Sequence, residues 1–295
     1  MISTKIKSLI DINKKTVGLM NLDKNSDIKT DNLRAQLNQH YNFRTIDPTA
    51  NIPESVDVLL ISAAVDTVDT STINNLRKYL DSGKKIFMAQ SGVNADIKTQ
   101  QANPLFSNIF DLLNDFNLDL QKNLVLDAKC GNVQVQEQRG IFLMNRPVQY
   151  PLFPTIDTFN GSDSLSGIVV NELEQVLLLF PSEIKIDTSQ NENVNSISTL
   201  FTSSNNSGIM ESNLVLSPDP QQNPFIRMLG QSGKLLAATS RLNNGGELML
   251  ISDSRFLTDD GGMSIPVNMI FMMNAVDYLA NDADLISLRS REITS

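Results

Sequence analysis

The densest hydrophobic pattern in the sequence lies between residues 54 and 92. It begins with a nearly continuous apolar run, residues 56–61, which is typical of a parallel strand covered on both faces. Apolar side chains then recur at helical spacing behind polar residues that can cap a helix. The apolar positions are Ile73, Leu76, Tyr79 and Leu80, and the candidate caps are Asp69, Thr70 and Ser71. Gly83 can end this helix with a positive φ, and residues 86–89 form a second buried strand. The pattern predicts a strand-helix-strand unit with a right-handed crossover.

Similar patterns on both sides continue the alternation of strands and helices. The expected elements are an amphipathic helix at 2–11, a strand at 16–20, a helix that Asp31 caps, a strand at 42–47, the central unit, a helix that Asn103 caps with Pro104 in its first turn, and a strand at 123–128. The first 128 residues therefore predict an α/β domain with a doubly wound, flavodoxin-like, mostly parallel sheet.

The pattern changes to mainly β after residue 128. Val133 and Val135 alternate with glutamines, and prolines at 147, 151 and 154 are expected to interrupt the strands of this region. A turn at residues 243–246 predicts a hairpin that leads into a buried strand, 247–252, and a closing helix, 265–280. The predicted division is a leading helix or linker (1–15), an α/β core (16–128), a mainly β insertion or subdomain (129–244), a final core strand and closing helix (245–285) and a polar tail (286–295).

Composition narrows the class of function. The net charge of -9 argues against nucleic acid as a partner, because phosphate binding needs a concentrated basic surface. A single cysteine, Cys130, excludes an intrachain disulfide and a multi-cysteine metal site. The most apolar uncharged run, residues 261–276, is shorter than the roughly 20 residues that a membrane span needs. We expect no cofactor and no metal, since the phosphate-loop and calcium-loop spacings do not occur in the sequence.

Several blocks, in this order, resemble the extracytoplasmic auxiliary subunits of gliding-motility ABC transporters, the GldG-type family. They are STKIKSLIDINKKTVGLM, the central unit ESVDVLLISAAVDTVDTSTINNLRKYLDSGKKIFMAQ, NLVLDAKCG, RPVQYPLFPTI, LEQVLLLFPSEI, STLFTSSNNS, GELMLISDSRFLTDD and DYLANDADLISLR. The sequence departs from the family at NLDKNSD after the first strand and in its Asn-rich loops.

The resemblance implies a soluble domain held at the extracytoplasmic, periplasmic face of the cytoplasmic membrane, between membrane anchors of the full-length protein. It also implies a class I glutamine amidotransferase-like fold, which is shared with an intraflagellar-transport domain that has no catalytic role. The implied partners are the permease and ATPase subunits of an ABC transporter. The leading hypothesis is therefore a non-catalytic interaction domain of a transporter auxiliary subunit, in gliding motility or a related export system.

Two groups of residues are the candidate ligand site, because ligands of open α/β sheets bind at the carboxyl ends of the strands. Gln90, Ser91 and Gly92 come directly after one predicted core strand, and Asp253, Ser254 and Asp259 come after another. An amidotransferase-like or hydrolase enzyme using Ser91 is the alternative function, and a small-ligand or glycan-binding module is the third. An acid or base within about 3 Å of Ser91 would favour the enzyme.

The remaining candidates have weaker support. Cys130 follows a different strand from the one that precedes Ser91, so it cannot be assigned as the nucleophile of an amidotransferase-like fold. His40, the single histidine, is expected at the surface. No catalytic residue is therefore assigned. Asp66 and Asp260 are expected to cap helices or form turns. Tyr150 and Phe153 could form an exposed patch for a partner, since aromatic residues are common interface anchors, or be buried in a β crossover.

Overall fold

A computed structural model describes residues 14–23, 27–139, 142–160, 169–170, 173–189, 191–219, 222–223 and 225–281. The helix expected at residues 2–11 and the polar tail at 286–295 lie outside these residues. The helices are α1 (Asp31–Leu37), α2 (Thr70–Asp81), α3 (Ile109–Asn114) and α4 (Pro266–Leu279). The strands are β1 (Thr16–Asn21), β2 (Asn42–Ile46), β3 (Val58–Ser62), β4 (Lys85–Ala89), β5 (Val93–Asp96), β6 (Gln101–Pro104), β7 (Leu118–Leu120), β8 (Leu124–Asp127), β9 (Cys130–Arg139), β10 (Phe142–Ile156), β11 (Thr158–Phe159), β12 (Val176–Leu177), β13 (Ile184–Ile186), β14 (Val194–Thr202), β15 (Ser207–Met210), β16 (Leu235–Leu242) and β17 (Glu247–Ile251).

An eight-stranded sheet organises the fold, in the order β11-β14-β16-β17-β4-β3-β1-β2. The strands from β17 to β2 are parallel, and β16, β14 and β11 extend the sheet by antiparallel pairing. The predicted α/β class with a large, mostly parallel sheet is confirmed. The central unit is present as β3, α2 and β4, and Gly83 comes after α2 with a φ of 82°.

Helices cover both faces of this sheet, which explains why its central strands β3, β4 and β17 are apolar except for one polar residue at an end of each. In β17, Met249 and Ile251 face the layer of α1 and α4, whereas Leu248 and Leu250 face the layer of α2 and α3. Burial of such side chains contributes roughly 1.5 to 3 kcal/mol each. Among the described residues, none of the helices is both long enough and apolar enough to cross a bilayer.

The helix expected to begin at Asn103 and Pro104 is wrong. These residues end β6, which pairs with β5, and α3 begins after Asn108. The side chain of Asn108 instead holds the backbone of Val68 through two hydrogen bonds of 2.9 and 2.8 Å. Tertiary pairing therefore overrides the local capping signal, and Phe106 is left 72% exposed instead of joining the apolar face of the helix.

Two β predictions also change. The strand expected at residues 123–128 is β8, but it pairs with β15 in a separate small sheet and does not extend the core. The prolines at 147, 151 and 154 do not interrupt β10, which runs through all three. Pro151 and Pro154 are tolerated because the β9–β10 register shifts between Gln149 and Pro154, where ladder hydrogen bonds are interrupted. Pro147 pairs with Gln134 in the regular part of the ladder, where it can face away from β9.

The hairpin predicted at residues 243–246 is confirmed, since it joins the antiparallel strands β16 and β17 and Gly245 has a φ of 89°. The division of the chain into five segments stays a prediction. Three strands from its mainly β range, β11, β14 and β16, nevertheless belong to the large sheet.

Candidate functional site

The carboxyl ends of β4 and β17 lie side by side, as the sequence predicts. The two strands pair in parallel up to Ile251 and Ala89, and the backbone N–H of Gln90 donates to the oxygen of Ile251 at 3.0 Å. The side chain of Gln90 is fully buried and holds the end of the neighbouring strand, accepting from the N–H of Ala64 at 2.8 Å and donating to its oxygen at 3.1 Å. Gln90 therefore fixes the backbone at the edge of the sheet.

Ser91 and Ser254 are joined by a reciprocal pair of hydrogen bonds. The N–H of Ser91 donates to Oγ of Ser254 at 2.8 Å, and the N–H of Ser254 donates to Oγ of Ser91 at 2.9 Å. The Ser91 hydroxyl lies near two backbone oxygens that can accept its proton, those of Ser252 at 3.1 Å and Phe180 at 3.3 Å. Every partner of this hydroxyl among the described residues is thus a backbone group, and the acid or base that an activated serine needs is not among them.

Gly92 lies where two backbones touch. A Cβ at this position would be 1.9 Å from the backbone oxygen of Gln121, which explains the need for glycine without invoking a ligand. The N–H of Gly92 donates to Oγ of Ser182 at 2.8 Å, and that hydroxyl donates to the backbone oxygen of Asn123 at 2.7 Å. The sequence pattern gave no indication of a role for Ser182 or Asn123.

Asp253 is fully buried at the same edge. Its two carboxylate oxygens accept from the N–H groups of Leu179 and Arg255, each at 2.8 Å. Burial raises the pKa of Asp253 to about 7, against the opposing effects of these two hydrogen bonds and of the Arg255 charge. Both carboxylate oxygens thus accept hydrogen bonds from backbone donors, which is a structural role.

Residues 178–183, which we name the closing segment, cover this edge of the sheet. The backbone N–H of Ser182 donates to the backbone oxygen of Ser252 at 3.1 Å, and the backbone N–H of Phe180 donates to the backbone oxygen of Leu152 at 3.0 Å. Phe180 has a φ of 56° directly before Pro181, a conformation that is sterically unfavourable for a bulky residue. The closing segment is held in a strained conformation at the place where an open α/β sheet would offer its ligand crevice.

Asp259 does not join the other candidates. Its carboxylate accepts from the N–H groups of Asp31 and Asn32, at 2.8 and 3.1 Å, and so caps α1 from a distant part of the chain. Asp260 pairs with Arg255 at 2.7 Å, and Asp66 accepts from the N–H of Thr67 at 2.7 Å. Asp66 and Asp260 have turn positions, as expected, whereas Asp259, a candidate ligand residue, caps a helix that is remote from it in sequence.

Tyr150 is buried, which is the second of the two alternatives that the sequence leaves open for it. Its ring packs edge to face with those of Phe153, Phe180 and Phe225, at 4.8 to 6.1 Å between centroids, and its hydroxyl donates to the oxygen of Leu216. Phe153 is half-buried in the same cluster. The rings of Tyr150 and Phe153 therefore pack against Phe180 of the closing segment. A role of Tyr150 and Phe153 in partner binding stays a prediction.

His40 lies at the opposite end of the large sheet from Ser91, and Cys130 begins β9, outside that sheet. Burial and the nearby charge of Asp127 raise the pKa of the Cys130 thiol, which disfavours the reactive thiolate. His40 comes after α1 and before β2, so it lies at the amino end of the parallel strands, whereas Ser91 is at their carboxyl end. The three residues cannot form one catalytic group.

The amino end of the sheet contains a buried charged cluster that the sequence pattern did not predict. Glu247 is 1% exposed and contacts Arg241 at 2.9 Å, Lys85 at 3.4 Å, the hydroxyl of Tyr278 at 2.6 Å and that of Thr239 at 2.8 Å. Burial acts to raise the pKa of Glu247, but the hydrogen bonds and the two cations outweigh it, and the pKa is lowered. The signal in the sequence is a glutamate beginning an otherwise apolar strand, ELMLI.

Many solved structures are similar to this chain, among them the following three. The mmIFT52 N-terminal domain has a TM-score of 0.56 and 12% identity, over 89% of this chain and 96% of that one. A ThuA-like protein from Bacteroides uniformis has a TM-score of 0.44 and 9% identity, over 91% and 92%. A glutamine amidotransferase from Thermotoga maritima has a TM-score of 0.44 and 6% identity, over 91% and 99%. The first likeness shows a shared fold alone.

Comparison with curated proteins gave no significant match. The profile of an ABC transporter auxiliary family, described as an ABC-type uncharacterized transport system, matches residues 14–269. That match spans most of the chain, including the large sheet, the closing segment and the residues that follow β4 and β17. The chain therefore belongs to this family of ABC transport system auxiliary components.

Proposed function

We propose that this chain is a non-catalytic, extracytoplasmic interaction domain of an ABC transporter auxiliary subunit, working in gliding motility or a related export system. The observation that carries the non-catalytic part is the closing segment, which occupies the carboxyl edge of the sheet and leaves the Ser91 hydroxyl bonded to backbone groups. Family membership supports the transporter role. The extracytoplasmic location, the gliding-motility link and the class I glutamine amidotransferase-like assignment rest on the sequence resemblance.

The proposed mechanism is presentation of surface to other subunits. The large sheet between two helical layers carries the β ribbons and loops, and affinity then comes from contact of these surfaces with the permease or with the transported substrate. The ATPase joins the same complex through the permease. The partners are tested by purifying the full-length, membrane-embedded protein together with its genetic neighbours. Co-purification of a permease and an ATPase in fixed proportion is expected, and recovery of the protein without either subunit would contradict the proposal.

The alternative, an enzyme using Ser91, has a direct test. The purified chain is assayed against ester, amide and glycoside substrates, together with Ser91→Ala and the matched variant Ser182→Ala, which removes a second buried hydroxyl from the same edge. We expect no turnover by any of the three proteins. Turnover that Ser91→Ala abolishes and Ser182→Ala preserves would establish the enzyme instead.

A further inference from the structure

The strand β9 has one edge to which no strand of the described residues is bonded. β9 pairs with β10 through residues 132–139, and β12 pairs with the opposite side of β10, at Thr155 and Ile156. Within the described part of the chain, the sheet order β12-β10-β9 therefore leaves the outer edge of β9 without a neighbouring strand. In an antiparallel pair, alternate residues direct their N–H and C=O groups outwards, so this edge is a row of groups that can bind a further strand.

The open edge lacks the features that usually prevent strand addition. Natural edges are protected by lysine, proline, bulges or inward-pointing charges. β10 carries Pro147 on its own outer side, but residues 131–136 of β9, GNVQVQ, contain neither a charge nor a proline. Asn132, Gln134 and Gln136 are exposed, and Val133 and Val135 are half-buried. Since a two-stranded ribbon is only marginally stable in water, a further strand would stabilise it.

The residue order of this edge matches itself when it is reversed. If two copies of β9 pair antiparallel about a two-fold axis at Gln134, Val133 faces Val135, Asn132 faces Gln136, and Gln134 faces its own copy. Amide side chains then lie opposite amides and valines opposite valines, which are favourable cross-strand pairs. Farther from the axis, Glu137 of one copy faces Gly131 of the other, and Lys129 faces Arg139. The charge of Lys129 is already balanced by its ion pair with Asp157. The pairing has no unscreened repulsion at its centre.

We propose that β9 is a homodimerisation edge, at which a second copy of this chain adds antiparallel to form a four-stranded sheet in the order β10-β9-β9-β10. Two-fold symmetry makes the contact self-complementary and closed, so it gives dimers and not filaments. The inference does not depend on the transporter role. An edge of about six residues buries less surface than a standard interface, so we expect weak association.

The first test is sedimentation velocity on the purified chain, at low salt and up to roughly 0.5 mM, where a contact of this size becomes populated. A concentration-dependent dimer is expected. Gln134→Lys places two positive charges opposite each other at the axis and is expected to raise the dimer Kd by about fivefold or more. Asn145→Lys is the matched control, because it adds the same charge to an exposed position on β10, on the same face as Gln136, and leaves it far from the axis.

The second test fixes the register, in a Cys130→Ser background. Gln134→Cys puts the two introduced thiols next to each other and is expected to give a cross-linked dimer on mild oxidation. Asn132→Cys puts them about 14 Å apart and is expected to stay monomeric, since four strand residues separate the two positions. A monomer at every concentration, a dimer that Gln134→Lys does not weaken, or equal cross-linking at both positions would each overturn the proposal.

Discussion

At the level of single residues, Asp253 shows how a predicted site residue can become a structural one. Its carboxyl group is fully buried, yet two backbone N–H groups from different segments converge on it. One donor, Leu179, belongs to the closing segment, and the other, Arg255, belongs to the loop after β17. The carboxyl group therefore connects the closing segment to the sheet, and its protonation state affects how stably the two are joined.

We predict that Asp253 makes the protein less stable as the pH rises. Its folded pKa of about 7 lies above the unfolded value near 3.9, so folding favours the protonated form. This contribution is complete below about pH 4 and is lost as the pH rises through 7, with a total on the order of 4 kcal/mol. Urea unfolding between pH 4.5 and 8 should show this decline in the wild type and not in Asp253→Asn. An identical pH profile for the two proteins would contradict the assignment, and Asp66→Asn, at an exposed carboxylate, is the control.

Asp259 is expected to stabilise α1 although it is more than 200 residues away in sequence. Removing its carboxylate in Asp259→Ala leaves the N–H groups of Asp31 and Asn32 without their acceptor and should lower the free energy of unfolding by about 1 kcal/mol, the usual cost of losing a cap. Denaturant titration measures the change. Asp260→Ala is the matched control, because it removes an exposed ion pair that contributes little, and an equal loss in both variants would contradict the capping role.

At the level of elements, the buried cluster around Glu247 joins four of them. Glu247 begins β17, Lys85 begins β4, Arg241 lies in β16 and Tyr278 in α4. A buried charge that has lost one partner is much more costly than a surface charge, since water cannot replace the missing contact. The cluster therefore holds α4 against the amino end of the sheet.

Glu247→Gln should destabilise the protein by about 3 to 5 kcal/mol, because it leaves the two cations without their counter-charge. The pKa of Glu247 is lowered by folding, so its contribution is present above about pH 4.5 and is lost as the pH falls below that value. Thermal unfolding at pH 7 and at pH 4 should show a difference between wild type and variant that narrows in acid. Asp157→Asn, which breaks the exposed pair with Lys129, should cost less than about 1 kcal/mol at either pH.

The backbone strain at Phe180 in the closing segment can be measured with two substitutions. Phe180 has a φ of 56°, which a glycine adopts freely and an alanine does not. Both Phe180→Gly and Phe180→Ala lose the contacts of the ring with Tyr150 and Phe153. The glycine variant should nevertheless be the more stable of the two by about 1 kcal/mol, the reverse of the order found in ordinary strands and helices. An alanine variant that is equal or better would show that the position is unstrained.

The sequence predicts this fold where the signal is local, and it fails where distant segments decide. Continuous apolar runs identify β3, β4 and β17 because those strands are covered on both faces. The same reasoning placed Ser91, Asp253 and Ser254 at one edge of the sheet, and the Ser91–Ser254 hydrogen bonds confirm that they meet. The closing segment could not be foreseen, since its contacts join residues about 70 to 90 positions apart. Asn103 failed as a cap for the same reason, because the backbone nearby is bonded to Leu214 and Gly92.

At the scale of the whole molecule, stability should be distributed very unevenly. Opening β3, β4 or β17 exposes the cores on both faces of the large sheet, so their amides can exchange with solvent only when the whole protein unfolds. The β9–β10 ribbon is different, because residues 132–136 are exposed or half-buried and can open without disturbing either core. The part of the chain that is available to partners is therefore the part least tied to the sheet.

Native-state hydrogen exchange at increasing denaturant tests this distribution. Amides of β3, β4 and β17 should exchange with the free energy and denaturant slope of global unfolding, whereas those of residues 132–136 should exchange faster, with a slope near zero. The experiment is done at low protein concentration, where self-association of the ribbon is negligible. If the ribbon amides show the global slope, the ribbon is part of the same cooperative unit as the sheet. In that case, a partner that binds the ribbon would also change the stability of the sheet. If the ribbon opens locally instead, it can change its conformation on binding a partner while the sheet stays unchanged.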